Sequence, residues 1–440
     1  MNIILQDIID GNKKQIDNIE IYYFESENTP IEFKNNHLFS MDKKYTTGIG
    51  VRVIHNGKLG LSSTNDINKI NQAIKMAKES SVYGNKVKFD FPGNDEKKLI
   101  KKDLCIYDNE FENNDNQKFI DTMLDEIKKI NKIDNSIKCD ATLKFNKIKV
   151  LIMNSRGLYK EYKKSIMYSD ITALLLEKQG GFQWLYDYEA SINKNSSAKK
   201  IANSVIEQIE YSRNVVPFKT KNLPVIFMPT SVDIFFKALQ IACNGRTFQK
   251  GISPLSGSIN KKVLDKRITI TDNPLLENMC GSIPFDCEGI PCRKNIIFKD
   301  GIFKNFIFDL ETASRLNKKT TGNASRAYSN KPLPGFTNFI VKNGKIKISE
   351  MIGRLNKGVI IYDLIGAGQS NLLSGDYSVN IGLGFYIENG KIKGRIKNAM
   401  IAGNIYEDIL KNIDEISSDT KIFRKNTLPA ILFKEKKIVA

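Results

Sequence analysis

The densest set of reactive side chains in this 440-residue sequence lies in FDCEGIPCR, residues 285–293. Its groups are two carboxylates and two thiols, those of Asp286, Glu288, Cys287 and Cys292. Such groups bind zinc in many proteins, but structural zinc sites usually take their cysteines from closely spaced CxxC-like pairs. Here four residues separate the two cysteines, and Gly289 and Pro291 indicate a turn. The segment is therefore predicted to be a tight loop with two semi-buried thiols rather than a metal site.

Histidine, the commonest general base and metal ligand, occurs only twice in the sequence, as His37 and His55. His55 directly precedes an Asn-Gly turn, and His37 lies among polar residues, so a turn and a loop or strand edge explain them. The sequence has no HExxH, no GxSxG and no Walker A motif. A Ser-His-Asp or Cys-His arrangement would have to recruit one of these two histidines.

The formal net charge of +18 raises the question of a nucleic-acid partner. Lysine far exceeds arginine and is scattered along the chain, and Lys, Asn and Ile are all encoded by AT-rich codons. Proteins that read nucleic acids favour arginine and stacking aromatic residues at their contacts. The composition therefore disfavours a nucleic-acid partner, which is kept as an alternative hypothesis.

The cysteine pattern and the first residues predict a cytoplasmic protein with free thiols. The six cysteines are irregularly spaced. The opening MNIILQDIIDGNKKQ has a short apolar run that Asp7 and Asp10 interrupt, which is not the pattern of a signal peptide. No run of about 20 apolar residues occurs, so we expect no membrane partner.

The first half of the chain alternates strand and helix patterns, and residues 1–216 are predicted to form an N-terminal α/β domain with helices on sheets. Two strand-like runs flank Asn56-Gly57, a dipeptide typical of a type I′ hairpin turn. Apolar residues at helical spacing predict helices near 67–77, 117–132 and 195–212. Strands are predicted near 138–153, 158–163 and 168–176.

The second half, residues 217–440, is predicted to be a β-rich domain with antiparallel sheet or a partial barrel, which makes the whole chain an α+β protein. A buried strand, LPVIFM, precedes a helix in PTSVDIFFKALQIAC that Thr230 or Ser231 would cap. Three further hairpins are predicted at Asp300-Gly301, Asn343-Gly344 and Asn389-Gly390.

Several segments, in order along nearly the whole chain, resemble the TldD/PmbA family of metallopeptidases, specifically its PmbA (TldE) branch. They include GIGVRVIHNGKLGLSSTND, SPLSGSI, FDCEGIPCR with the hairpin after it, TTGNASRAYSNKPLPGFTNF and LLSGDYSVNIGLGFYIENGKI. The resemblance makes nine residues candidates for lining a cavity or shaping the loops around it: Asp286, Glu288, Gly289, Thr321, Gly322, Asn323, Arg326, Thr337 and Asn338.

The family's catalytic branch carries His-Glu-x-x-x-His on a helix, which the resemblance aligns with PTSVDIFFKALQIACNG. The positions of the three groups are then taken by Lys237, Ala238 and Ala242. An ammonium is a poor zinc ligand, and alanine can neither bind metal nor transfer a proton. The terminal segment also lacks the family's cysteine ligand. The resemblance thus implies no catalytic residue and no metal or cofactor in this chain, with zinc on a TldD-type partner subunit.

The resemblance further implies a cytoplasmic complex that processes or degrades small unfolded peptides. Examples in the family are maturation of a microcin precursor and degradation of an antitoxin. This chain would be the non-catalytic subunit of a heterodimer. Two alternatives stay open: a peptidase active on its own through a non-standard site, such as Cys287 or a carboxylate-held metal, and a basic binder of nucleic acid or a regulatory protein.

Overall fold

The structure, a computed structural model, describes residues 2–93, 102–176, 181–366, 368 and 371–440. Their helices are α1 (Asn2–Asn12), α2 (Ile70–Ser81), α3 (Gln117–Ile133), α4 (Ala198–Ser212), α5 (Pro229–Ala242), α6 (Gly245–Gln249), α7 (Leu310–Arg315), α8 (Ile348–Arg354) and α9 (Ile405–Glu407). Short 3₁₀ helices cover Ile67–Lys69 and Asn109–Glu112, and a π-helical turn covers Asp408–Asn412.

The strands fall into a first group before residue 192 and a second group after residue 220. The first group is β1 (Asn18–Lys34), β2 (His37–Met41), β3 (Lys44–His55), β4 (Lys58–Thr64), β5 (Lys138–Asn154), β6 (Tyr159–Leu176) and β7 (Phe182–Ser191). The second is β8 (Lys221–Phe227), β9 (Ile270–Asp272), β10 (Asn295–Lys299), β11 (Ile302–Phe303), β12 (Ala324–Ser325), β13 (Leu333–Pro334), β14 (Phe339–Val341), β15 (Lys357–Ile365), β16 (Asp376–Glu388), β17 (Lys391–Arg395), β18 (Met400–Asn404), β19 (Ile413–Phe423) and β20 (Asn426–Val439).

The first group forms one antiparallel sheet in the order β4-β3-β1-β5-β6-β7, with β2 added along β1. Helices α2, α3 and α4 contact the sheet and bury the apolar stripes that their spacing predicts, such as Ile70, Ala73, Ile74 and Ala77 of α2. The two strands predicted at 158–163 and 168–176 are instead one continuous strand, β6. In its middle, Lys164 contacts the second half of the chain through the carbonyl of Ser282.

The second group contains a closed five-stranded barrel. The order β20-β18-β16-β15-β8 closes because β20 also pairs with β8, and β14, β9, β10 and β11 extend the sheet from β20. Helix α5 packs against β15, β19 and β20 and contributes fully buried phenylalanines to the core. The α+β fold class and the partial barrel are therefore confirmed.

Three of the four predicted hairpins are confirmed, because both turn residues have positive φ at Asn56-Gly57, Asp300-Gly301 and Asn389-Gly390. The prediction at Asn343-Gly344 is wrong. Strand β14 pairs with β9 and β20, and the N–H of Gly344 donates to the carbonyl of Ser417. A Cβ on Gly344 would lie 1.9 Å from the carbonyl oxygen of Ile416. This glycine permits a close approach of two backbones rather than a turn.

The predicted cap of α5 is also wrong. Met228 is the N-cap residue and Pro229 begins the helix, without a side-chain cap. The hydroxyl of Thr230 instead donates to the carbonyl of Tyr362 at 2.6 Å, and that of Ser231 donates to the carbonyl of Ile361 at 2.7 Å. These bonds attach the first turn of α5 to β15.

The strands of the first sheet end at Ser191 and those of the second begin at Lys221, so the division at 216/217 lies between the sheets. The two parts share buried contacts, including a cluster of Tyr22, Val150, Ile152 and Leu158 with Phe285, Cys287 and Ala324. The assignment of two domains stays a prediction. None of the described helices has the length and apolar character needed to cross a membrane.

Candidate functional site

The loop at residues 285–292 is a tight turn built around one buried carboxylate. The Oδ1 atom of Asp286 accepts the N–H groups of Glu288 at 2.9 Å and Ile290 at 3.1 Å. Its Oδ2 atom accepts the N–H of Ala324 at 3.0 Å. Gly289 has a φ of +79°, and a Cβ there would lie 2.4 Å from Leu158. The turn therefore requires both the aspartate and the glycine.

Glu288 leads from this loop into a buried ion network. Arg52 on β3 donates to both oxygens of Glu20 at 2.8 and 2.7 Å and to Oε1 of Glu288 at 2.7 Å. Arg326 donates to Glu20 at 2.8 Å, and the N–H of Leu310 donates to Oε2 of Glu288 at 2.8 Å. Every carboxylate oxygen is thus engaged. The network joins the first sheet to two loops of the second half.

In this network, the guanidinium charges and burial shift the pKa values of the carboxyl groups in opposite directions. Burial alone would raise the pKa of Glu20, but the guanidinium groups of Arg52 and Arg326 hold it below its usual value. Burial raises the pKa of Glu288, and among the described residues the guanidinium of Arg52 beside it opposes this rise without cancelling it. With its oxygens occupied and no solvent access, Glu288 is suited to holding the loop rather than to acting as a general base.

Asp272 on β9 organises a second set of predicted residues, although no sequence motif distinguishes it. Its Oδ1 atom accepts the N–H of Thr337 at 2.8 Å and the hydroxyl of the same residue at 3.0 Å. Its Oδ2 atom accepts an amide hydrogen of Asn323 at 2.6 Å. Asn338 accepts the N–H of Gly281 at 2.9 Å. Burial raises the pKa of Asp272 to about 6.

Thr321 and Gly322 shape the neighbouring loop. The Thr321 hydroxyl oxygen accepts the N–H of Phe308 at 2.7 Å, and Gly322 has a φ of +72°. Of the nine residues from the family segments, Asp286, Arg326 and Thr337 line a cavity, and the other six are engaged in the ion network, hydrogen bonds and turns around it.

This cavity, of about 220 Å³, lies between the first sheet and the loops of the second half. Strand alternation on β6 places Tyr162, Lys164 and Ile166 along one wall, and Tyr22 lies on β1, with β5 between the two strands. Lys425 also lines it. Sequence reasoning missed these residues, although a lysine between apolar residues on one face of a strand was an available signal.

Lys164 is the most unusual side chain in the cavity. It is 5% exposed, and its ammonium group donates to the carbonyl of Ser282 at 2.9 Å. Burial, with a smaller contribution from the nearby charge of Lys425, lowers the pKa of Lys164 to about 7. An amine with this pKa exchanges its proton near neutral pH, in contrast to a surface lysine.

The low pKa of Lys164 predicts a pH dependence of stability. Between pH 7 and about 10.5 the unfolded chain holds this proton and the folded chain does not, so stability rises with pH by up to about 1.4 kcal/mol per pH unit. Lys164→Met should remove this rise. The check is urea denaturation at pH 7.5 and 9. Lys163→Met, at the exposed neighbouring position, should retain the rise; an identical pH profile in both variants would contradict the assignment.

The three motif positions on α5 do not fit a zinc ion. Ala238 and Ala242 are 0% exposed within the hydrophobic core, and neither side chain has a donor atom. Only Lys237 reaches solvent. Across the described ranges, no group of three or more His, Cys, Asp or Glu side chains is arranged to hold a metal ion. The expectation that zinc belongs to a partner subunit stays a prediction.

The fold and loops described above define an α+β protein with two sheets and a motif-bearing cavity between them. A model described as the PmbA/TldA metallopeptidase C-terminal domain matches residues 220–440, and one for domain 1 matches residues 19–81. The chain belongs to the PmbA/TldD metallopeptidase family, and the PmbA branch fits the matches below.

Relatives and a solved structure agree with this assignment. An uncharacterized protein of Methanocaldococcus jannaschii is 27% identical over 98% of each chain. A metalloprotease PmbA homologue of Buchnera aphidicola is 29% identical over 62% of this chain and 59% of that protein. The crystal structure of TldE from Thermococcus kodakarensis superposes with a TM-score of 0.91 and 24% identity, covering 99% of this chain and 100% of that one. This last match concerns the fold.

Proposed function

We propose that this chain is a TldE-like, non-catalytic subunit of a cytoplasmic complex that processes or degrades small unfolded peptides. A TldD-type partner would bind the zinc and supply the catalytic groups. The observation that carries the proposal is the state of α5, where Ala238 and Ala242 lie in the core at the positions assigned to metal and proton-transfer groups.

The presence of two kinds of family member in one organism supports a two-chain arrangement. Relatives of this chain in one strain of Buchnera aphidicola include both a PmbA homologue and a TldD homologue, each named a metalloprotease. The two relatives are 29% and 28% identical to this chain over their matched residues. A chain without ligands on α5 would therefore be complemented by one that has them.

The alternative of an independent peptidase using Cys287 is less favourable. Cys287 is 8% exposed, and burial raises the pKa of its thiol well above the usual value. Catalytic cysteines act as thiolates and lie in accessible, electropositive surroundings that lower their pKa. The Cys287 thiol lines the cavity but is held in the neutral form.

The test is to express this chain with and without a TldD-type partner from the same source. Native mass spectrometry would count chains and zinc ions, and a peptide-hydrolysis assay would run on the same samples. We expect a one-to-one complex with one zinc, which is lost when the partner's motif is mutated. We expect neither zinc nor hydrolysis for this chain alone. A partner-free homodimer that carries its own metal and cleaves peptides would overturn the proposal.

A further inference from the structure

The cavity lined by Lys164 is rich in unused hydrogen-bond donors. The ammonium group of Lys164 donates to a single acceptor, the carbonyl of Ser282. In the described part of the chain, the hydroxyls of Tyr22 and Tyr162 have no hydrogen-bond partner. Donors from β1 and β6 thus line one space.

The carboxylate that lines this cavity is already engaged. Asp286 is the carboxylate among its lining residues, and both of its oxygens accept backbone N–H groups. Buried donors without acceptors destabilise the folded state. A ligand that brings acceptor oxygens into this cavity would satisfy such donors.

The charge balance indicates a single negative charge on that ligand. Arg326 is already paired with Glu20. Among the remaining lining groups, Lys164 and exposed Lys425 are opposed by Asp286, which leaves one excess positive charge when all three are ionised. A carboxylate matches this balance better than a phosphate dianion does. The volume of about 220 Å³ accommodates a carboxylate with a short stem.

We infer that this cavity binds the carboxylate of a peptide, through the ammonium of Lys164 and the hydroxyl of Tyr162. The choice of a peptide as carrier of the carboxylate rests on the proposed function. Hydrogen bonds between ionised groups are about twice as strong as neutral ones, so the acid should be preferred to a neutral analogue.

The inference has a pH signature. The Cys280 thiol and the Lys425 ammonium act on Lys164 directly, and Arg326, Asp286 and the two tyrosines line the same space. A bound carboxylate favours the protonated amine. Above about pH 7 the amine has to take up a proton on binding, so affinity should fall by up to about tenfold per pH unit.

The experiment uses two dye-labelled peptides of the same sequence without acidic residues, one with a free C-terminal carboxylate and one with a C-terminal amide. Fluorescence anisotropy with the full chain at low salt would give both affinities at pH 7 and pH 9. At pH 7 we expect the acid to bind at least about tenfold more tightly. The preference should shrink at pH 9, disappear in Lys164→Met and persist in Lys163→Met.

Equal affinities for the acid and the amide, binding of neither, or a preference that persists in Lys164→Met would each overturn the inference. The inference would also be overturned if inorganic phosphate displaced the acid peptide more effectively than acetate does. A second variant, Lys425→Met at the exposed position, should weaken the preference without changing the interior. All of these are measured on this chain alone. If the one-to-one complex or its zinc is not found, only the proposed function is overturned. If the complex forms but this chain alone does not distinguish the two peptides, only the carboxylate site is overturned.

Discussion

Arg52→Met is expected to lower the free energy of unfolding by about 3–5 kcal/mol, because it removes the guanidinium paired with buried Glu288 and one of the two paired with buried Glu20. Arg52 is 2% exposed and makes three hydrogen bonds, two to Glu20 and one to Glu288. In the variant, Glu20 would keep its pair with Arg326, whereas Glu288 would lose its guanidinium partner. Urea denaturation of the variant and the wild type at pH 7.5 measures the loss.

The pH dependence of that loss distinguishes lost charge pairing from lost packing. Without Arg52, the pKa values of Glu20 and Glu288 in the folded state should rise. Groups with a raised folded pKa lose stability as the pH rises above the unfolded value of about 4.3. The deficit of Arg52→Met should therefore be smaller at pH 5 than at pH 7.5.

Arg156→Met is the matched control for this prediction. Arg156 pairs with Asp90 at 3.0 Å, but the two side chains are 42% and 62% exposed. An exposed pair of this kind contributes about 0–1 kcal/mol. Equal effects of the two substitutions, or a deficit of Arg52→Met that does not depend on pH, would show that the buried network does not hold the two sheets together through charge.

This network illustrates what the sequence could not predict. Glu20 stands between Ile19 and Ile21, an alternation that indicates a solvent-facing position on a half-buried strand. The structure covers that face with loops from the second half, and Glu20 meets Arg326 across 306 positions of sequence. Local periodicity has no information about such a contact. It does determine α2, α3, α4 and α5, which were predicted within a few residues, whereas α1 and the short helices α6 to α9 were not predicted.

The absence of long-range information in local periodicity also explains why the course of β6 and its cavity were not predicted. Two strands were predicted, at 158–163 and 168–176, but β6 is continuous between them, where the Ser165 hydroxyl donates to the buried carbonyl of Ile192 and Lys164 lies in the cavity. The turn at Asp286 and Gly289 was predictable, because its residue types encode a local conformation. The partners of its carboxylates were not, since they arrive from distant strands.

The burial of Ala238 on α5 leads to the second large expected effect. Ala238→Glu should lower the free energy of unfolding by about 3–5 kcal/mol, because it adds volume and an unpaired carboxyl group to a position that is 0% exposed. Combining it with Lys237→His and Ala242→His rebuilds the family motif in sequence. We expect this triple variant to be destabilised and to bind no stoichiometric zinc, measured by urea denaturation and by metal analysis of the purified chain.

Lys237→His alone provides the comparison, since Lys237 is exposed and a surface substitution usually changes stability by less than about 0.5 kcal/mol. Lys237→His and Ala238→Glu change neighbouring positions of one helix, the first exposed and the second buried. A larger loss of stability in Ala238→Glu therefore reflects burial rather than helix propensity. A triple variant that keeps its stability and binds one zinc per chain would mean that α5 can present these positions to a cleft. The difference between this chain and the family motif would then lie in the side chains alone. If the triple variant instead unfolds without binding zinc, the core around α5 has been repacked for alanine, and the chain cannot regain the motif by substitution at these positions.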